Sequence, residues 1–188
     1  MSGPAGIRDD GPAAVAGDFA FLHGEWDVAH RRRADFLDAG SAWEEFSGTS
    51  RCWSLFDGGG NLDEMDVPGQ GWKGLTLRLR DRETGLWSLY WSNSLSGRLL
   101  PPVTGRFADG RGEFHGDDTH DGEEVRVRYV WSGISASTAR WEQAFSVGGE
   151  TGGEMSWVTN WVMEFTRRPV PVRNPGPVPV PASGTTAG

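Results

Sequence analysis

Apolar and polar residues alternate with a period of two along most of this chain. In W-S-L-Y-W-S, Trp87, Leu89 and Trp91 fall on one side and Ser88, Tyr90 and Ser92 on the other. In M-S-W-V-T-N-W-V-M-E-F the same spacing aligns Trp157, Thr159, Trp161, Met163 and Phe165. Successive side chains of an extended strand point to opposite faces, so each segment reads as a strand with one aromatic face. Runs of this kind predict strands over 25–33, 42–55, 60–66, 73–81, 85–92, 98–107, 111–117, 123–132, 139–147 and 155–167. Turn residues separate them, as in D-R-E-T-G before 86, A-D-G-R-G after 107 and H-D-G at 120–122. One helical turn is expected over 19–23, with Asp18 as its cap and Gly24 as its stop. About ten short strands with no amphipathic helix between them predict an all-β fold, either an up-and-down antiparallel β-barrel or a sandwich. Closure would remove the exposed edges.

Composition shows how such a fold would be stabilised. Only 37% of the 188 residues are hydrophobic, but ten are Trp and nine are Phe. Each ring can bury about 150–250 Å², so few aliphatic residues are needed for a core. The opening 1–17 is rich in Gly, Ala and Pro, and the tail 169–188 is dominated by Pro and Val; both are expected to be disordered. The stretch 18–168 is then a single barrel domain. The net charge of −8 argues against a nucleic-acid partner, which requires a cationic surface. No run approaches a membrane span, no basic, apolar leader opens the chain, and Cys52 is the only cysteine, so a soluble cytoplasmic protein is the expectation. The state of association is left open between a monomer and a homodimer.

The opening D-F-A-F-L-H-G-E-W-D-V places a short helical turn, Gly24 and Trp26 at the start of the first strand. It resembles the G-x-W signature of lipocalin and calycin barrels. Together with G-R-F-A-D-G-R-G-E-F-H-G-D-D, R-W-E-Q-A-F-S and T-N-W-V-M-E-F-T-R, the chain is similar over about residues 18–168 to uncharacterised bacterial lipocalin-like proteins. The resemblance implies a barrel plugged at one end by Trp26, with a basic residue of the last strand, Arg167 or Arg168, packed over it. A fold of this kind hosts many activities and specifies none.

Strand parity then selects the candidate site. With Trp26 inside, Val28 and His30 are inside too, and a neutral imidazole there could exchange a proton. If Trp43 faces inward, so does Glu45, whose carboxyl would be raised by an aromatic wall into the range of a general acid. Trp43, Trp87, Trp91, Tyr129, Trp131, Trp141, Trp157 and Trp161 are candidate ligand-binding rings, with Gln143 and Thr159 as polar groups between them. Apolar walls with a few placed polar groups are the usual makeup of a ligand pocket. Asn61 and Asp63 either line the mouth or form a polar edge strand.

Other motifs carry less. G-Q-G-W-K-G at 69–74 precedes a strand, so it reads as a hairpin rather than a dinucleotide loop. H-G-D-D-T-H at 115–120 has metal-capable residues at the spacing of no standard site, and no metal or cofactor is expected. Two readings of function follow. One is an intracellular barrel that binds a hydrophobic or aromatic small molecule. The alternative is a cofactor-independent cyclase, isomerase or hydratase of bacterial natural-product metabolism, with His30 and Glu45 as its acid/base residues.

Overall fold

The computed structural model describes residues 18–147 and 156–169. The segment 1–17 and the tail beyond residue 169 lie outside the described residues. Ten strands form one closed antiparallel barrel. Each pairs with its neighbours in sequence, and β1 (Gly24–Arg33) closes on β10 (Val158–Arg167). Between them run β2 (Trp43–Leu55), β3 (Gly60–Val67), β4 (Trp72–Arg80), β5 (Trp87–Asn93), β6 (Val103–Ala108), β7 (Arg111–His120), β8 (Glu123–Ser132) and β9 (Thr138–Val147). The up-and-down barrel expected from the alternation is the observed fold, and a sandwich is excluded. Among the described residues no helix is long and apolar enough to cross a membrane.

Turn chemistry sets the register on one side. Asp109-Gly110 joins β6 to β7 and Asp121-Gly122 joins β7 to β8, and all four residues have positive φ. Two-residue hairpins need that conformation, and Asp-Gly supplies it at low cost. The sixth strand departs from expectation. It starts at Val103 rather than 98, because Pro101 and Pro102 cannot donate to a ladder. The preceding segment instead crosses as a loop, held by Leu100 N–H on the Trp91 carbonyl at 2.8 Å. The β5–β6 ladder is accordingly short, from Trp87↔Gly105 to Leu89↔Val103.

One end of the barrel is sealed. A 3₁₀ turn, Ala20–Leu22, lies across it, and Leu22 accepts the Trp26 indole N–H at 2.8 Å. Arg167 lies flat over Trp26, its guanidinium carbon 4.1 Å from the ring centroid, and donates to the carbonyls of Phe21, His23 and Ala136. Gly24 enters this junction at φ +106°, and a Cβ there would come within 3.1 Å of the guanidinium. Arg168 turns outward to Asp27. Asp18 does not cap the turn as expected. Its carboxylate accepts the Trp87 indole N–H at 2.9 Å, which ties the turn to the barrel wall.

β4 and β10 place side chains contrary to the simplest parity reading. On β4, Trp72, Gly74, Thr76 and Arg78 occupy the inner face and Leu75, Leu77 and Leu79 the outer one. Leu77 stands in an outer row with Trp53, Leu62 and Tyr90 across four strands, and Trp53 remains 40% exposed. On β10 the register shifts between Thr159 and Trp161, so that Asn160 is inserted as a bulge. A bulge reverses the alternation beyond it. Trp161, Met163 and Phe165 point inward, whereas Trp157 packs on the outside against Arg128 and His115.

Candidate functional site

Above the plug the barrel encloses a cavity of about 320 Å³. Its walls are aromatic: Trp91 from β5, Trp131 from β8, Trp141 from β9 and Trp161 from β10. Trp141 meets Trp161 edge-on at 6.0 Å and Tyr129 at 4.9 Å, the geometry preferred by ring quadrupoles. Trp91 lies directly on Gly74, where a Cβ would overlap its ring. Leu89, Leu100, Met65, Met163, Phe145 and Phe165 add to the apolar lining.

The polar groups form two levels. At the inner level, Arg78 Nη1 lies 3.3 Å from Asp63 Oδ1 and donates to Asn61 Oδ1 at 3.0 Å. Asp63 also accepts from Ser50 Oγ and from the Thr76 N–H. Both members of the ion pair are buried, and the barrel satisfies the carboxylate with hydrogen bonds, the condition under which such a pair is tolerated. The guanidinium also faces the rings of Phe19 and Trp131, at 5.2 and 5.8 Å.

At the mouth, Asp118 and His120 line the opening, and Phe36 of the β1–β2 loop stacks on His120 with centroids 5.0 Å apart. Asn160, the bulge residue, accepts from Gln143 and donates to the Phe36 carbonyl at 3.2 Å. The bulge thus couples a cavity-lining amide to the loop that overhangs the mouth. Burial pushes the Tyr129 phenol up, and the nearby Asp118 adds to the effect.

The two acid/base candidates do not meet in this cavity. His30 points inward, as parity required, but it is 1% exposed and sits behind the cavity wall. It stacks on Phe46 at 4.6 Å, and its Nδ1 accepts the Trp161 indole N–H at 3.2 Å. Burial, and secondarily the charge of Arg32, lowers its pKa to about 4. Glu45 is on the outer face, opposite Arg31, and exposed. Trp43 is outside with it, held between Arg31 and Arg33 by contacts of 5.5 and 4.3 Å. The inward residues of β2 are instead Phe46, Gly48 and Ser50, which oppose His30, Val28 and Trp26. A tryptophan can be placed outside when flanking arginines cover its faces.

Of the ring candidates, Trp91, Tyr129, Trp131, Trp141 and Trp161 reach the cavity together with Gln143. Trp87 is interior but belongs to the sealed end, edge-on to Phe19 at 5.0 Å. Trp157 and Thr159 do not line the cavity, because the bulge at Asn160 breaks their alignment with Trp161. Trp72 is interior, packed edge-on against Trp161 at 5.9 Å. The H-G-D-D-T-H run is part of β7 and is divided by parity. His115 joins Glu113 at 2.9 Å, while Asp118 and His120 face the mouth. Cys52 is buried, and burial pushes its thiol up to about 12, so it stays protonated and unreactive.

Sequence reasoning missed Arg78 and undervalued Asp63. The signal was present in K-G-L-T-L-R-L-R, where Thr76 and Arg78 share the parity of Trp72. The three leucines opposite them pointed the other way. Asn61 and Asp63 do not form an edge, since a closed barrel has none.

No protein-family model matches the chain, and no curated protein matches it at a significant level.

Proposed function

We propose that this chain is a lipocalin-like barrel, acting in the cytoplasm, that holds a flat hydrophobic or aromatic small molecule inside its cavity. The observation that carries this reading is the set of four tryptophans around one enclosed space, with Gln143 and Tyr129 among them, the Arg78–Asp63 pair at the inner end and Asp118 and His120 at the mouth. Such a space suits a ligand that is mostly apolar and makes a few directional hydrogen bonds. The plug of Trp26 beneath Arg167 supports the lipocalin-like assignment. The catalytic alternative rested on His30 and Glu45. One is screened from the cavity by Trp161 and the other lies outside the barrel, so the geometry favours holding over transformation.

Titration with a neutral fluorescent aromatic, N-phenyl-1-naphthylamine, tests the reading. Saturable quenching of tryptophan emission at one equivalent per chain is the expected result. Absence of saturable quenching across a panel of flat aromatics would overturn it.

A further inference from the structure

Two carboxylates line the cavity, Asp63 and Asp118. Asp63 is balanced by Arg78 at 3.3 Å. Asp118 has no ion-pair partner among the described residues, and its one hydrogen bond there is local, Oδ1 accepting the Thr119 N–H at 2.8 Å. The other charged groups nearby are matched. Arg32, above the Trp161 ring, lies 3.2 Å from Glu44, and His120 lies 3.7 Å from Asp121. Asp118 is also within reach of a ligand. It is half-buried, on the inner face of β7 one pleat below His120, whose ring packs on Phe36 and Phe145 at 5.0 and 5.5 Å. Its charge acts on the Tyr129 phenol, second to burial, so the two face the same space. Trp91, Tyr129 and Trp161 are only partly buried, which leaves ring surface open to that space. The described connections at the open end, 34–42, 68–71, 94–102 and 121–122, carry Asp35, Asp38 and Asp121 against one cation, Arg98. Such a mouth draws positive charge toward it.

From this we infer that the ligand is a cation, an aromatic body with an ammonium head, held with the head beside Asp118 and the body among Trp91, Trp141 and Trp161. The inference rests on the binding reading above and adds charge and orientation to it. Ring faces are negative, so an aromatic wall attracts a cation, and a carboxylate beside it supplies the counter-charge. An anion would meet both the ring faces and Asp118 with the wrong sign. A neutral ligand would leave Asp118 half-buried and unmatched, a less favourable setting for a carboxylate than open water. Carboxylates such as Glu45 are different, since they stand exposed on the outer face. The direction of entry follows from where the unmatched charge lies. At the mouth the ammonium keeps part of its hydration, while the apolar body is stripped of water inside.

Three probes on one ring system separate the outcomes: (2-naphthylmethyl)trimethylammonium, its uncharged isostere 2-neopentylnaphthalene, and 2-naphthylacetate. Each is titrated against the unaltered full chain by calorimetry. The ammonium should bind about tenfold tighter than the isostere, the yield of a cation on an aromatic wall beside a carboxylate, and the acetate weakest of the three. Binding of 2-neopentylnaphthalene within about threefold of the ammonium, or tighter, would overturn the inference and leave the binding reading intact. Tightest binding by 2-naphthylacetate would overturn it in favour of an anion site. Binding of none of the three would overturn it together with the reading it rests on. Asp118→Asn keeps the shape and deletes the charge. It should weaken the ammonium at least about fivefold and leave the isostere within about twofold, and an unchanged preference for the ammonium would overturn the role of Asp118.

Discussion

The indole N–H of Trp161 is donated to Nδ1 of His30 across 3.2 Å, joining a wall of the cavity to a residue enclosed behind it. The bond fixes the neutral imidazole with its proton on Nε2. It also explains why His30 is not free to serve as a base, since its accepting nitrogen is already occupied. Protonation would place a second donor against the indole and a charge among Phe46, Trp72 and Trp161.

This relationship sets an acid limit on stability. The folded pKa of His30 is lowered to about 4 from an ordinary value of 6.5. Between those values the unfolded chain takes up a proton that the folded chain refuses. Stability is therefore complete above about pH 6.5, falls as the pH drops toward 4, and loses nothing further from this group below that. The depression corresponds to roughly 3 kcal/mol at full effect. Urea denaturation across this range should show the decline. His30→Gln should be less stable at neutral pH but show a shallower loss on acidification, and equal slopes for the two proteins would refute the assignment.

Glu45 supplies the contrasting case. Exposed on the outer face opposite Arg31, its side chain makes no contact with the cavity. Glu45→Gln should leave probe affinity unchanged and shift stability by no more than about 0.5 kcal/mol. A tenfold loss of affinity in this variant would mean that the barrel face is misassigned.

Gly74 provides a way to alter the cavity wall without deleting a ring. An alanine methyl there would overlap the Trp91 indole, and the ring, not the backbone, is what must move. Gly74→Ala should push Trp91 off its seat into the cavity and weaken probe binding by about tenfold while the far-ultraviolet dichroism remains that of a β-protein. Unchanged affinity in a titration would show that Trp91 does not bound the ligand space.

The sealed end predicts a stability effect without a binding effect. Arg167→Ala removes three hydrogen bonds to backbone carbonyls and the cation over Trp26, and should cost about 2–4 kcal/mol. Arg167→Lys should recover less than half of that, because one ammonium cannot serve three carbonyls and lie flat on the indole. Denaturant melts of the two variants provide the comparison. At temperatures where both are folded, probe affinity should match the unaltered chain.

Phe36 should control exchange at the mouth. Its ring stacks on His120 and meets Phe145 edge-on at 5.7 Å. Phe36→Ala should speed probe dissociation by about tenfold in stopped-flow displacement, with little change in unfolding midpoint. Unaltered kinetics would indicate that ligands enter elsewhere, for instance along the short β5–β6 seam.

What the sequence determined by itself was the fold class and most strand limits, and its resemblance to lipocalin barrels pointed to the plug. Those features are local: period-two alternation marks a strand, Asp-Gly marks a tight hairpin, and a Trp after Gly at the first strand is identifiable by position. It also picked out five of the rings and the glutamine that line the cavity, because β5, β8 and β9 keep unbroken parity and Trp161 lies beyond the bulge of β10. Tertiary structure alone decided which way β2, β4 and the start of β10 face. On β2, Trp43 is drawn outward by Arg31 and Arg33 from the neighbouring strand, a pairing that register sets. On β10, one inserted residue, Asn160, reverses Trp157 and Thr159. On β4, hydrophobicity pointed to the leucines, yet Arg78 is inside because Asp63 and Asn61 of β3 meet it there. A buried charge is stabilised by its partner across the ladder, and that partner lies fifteen or more residues away in sequence, beyond the reach of any local pattern.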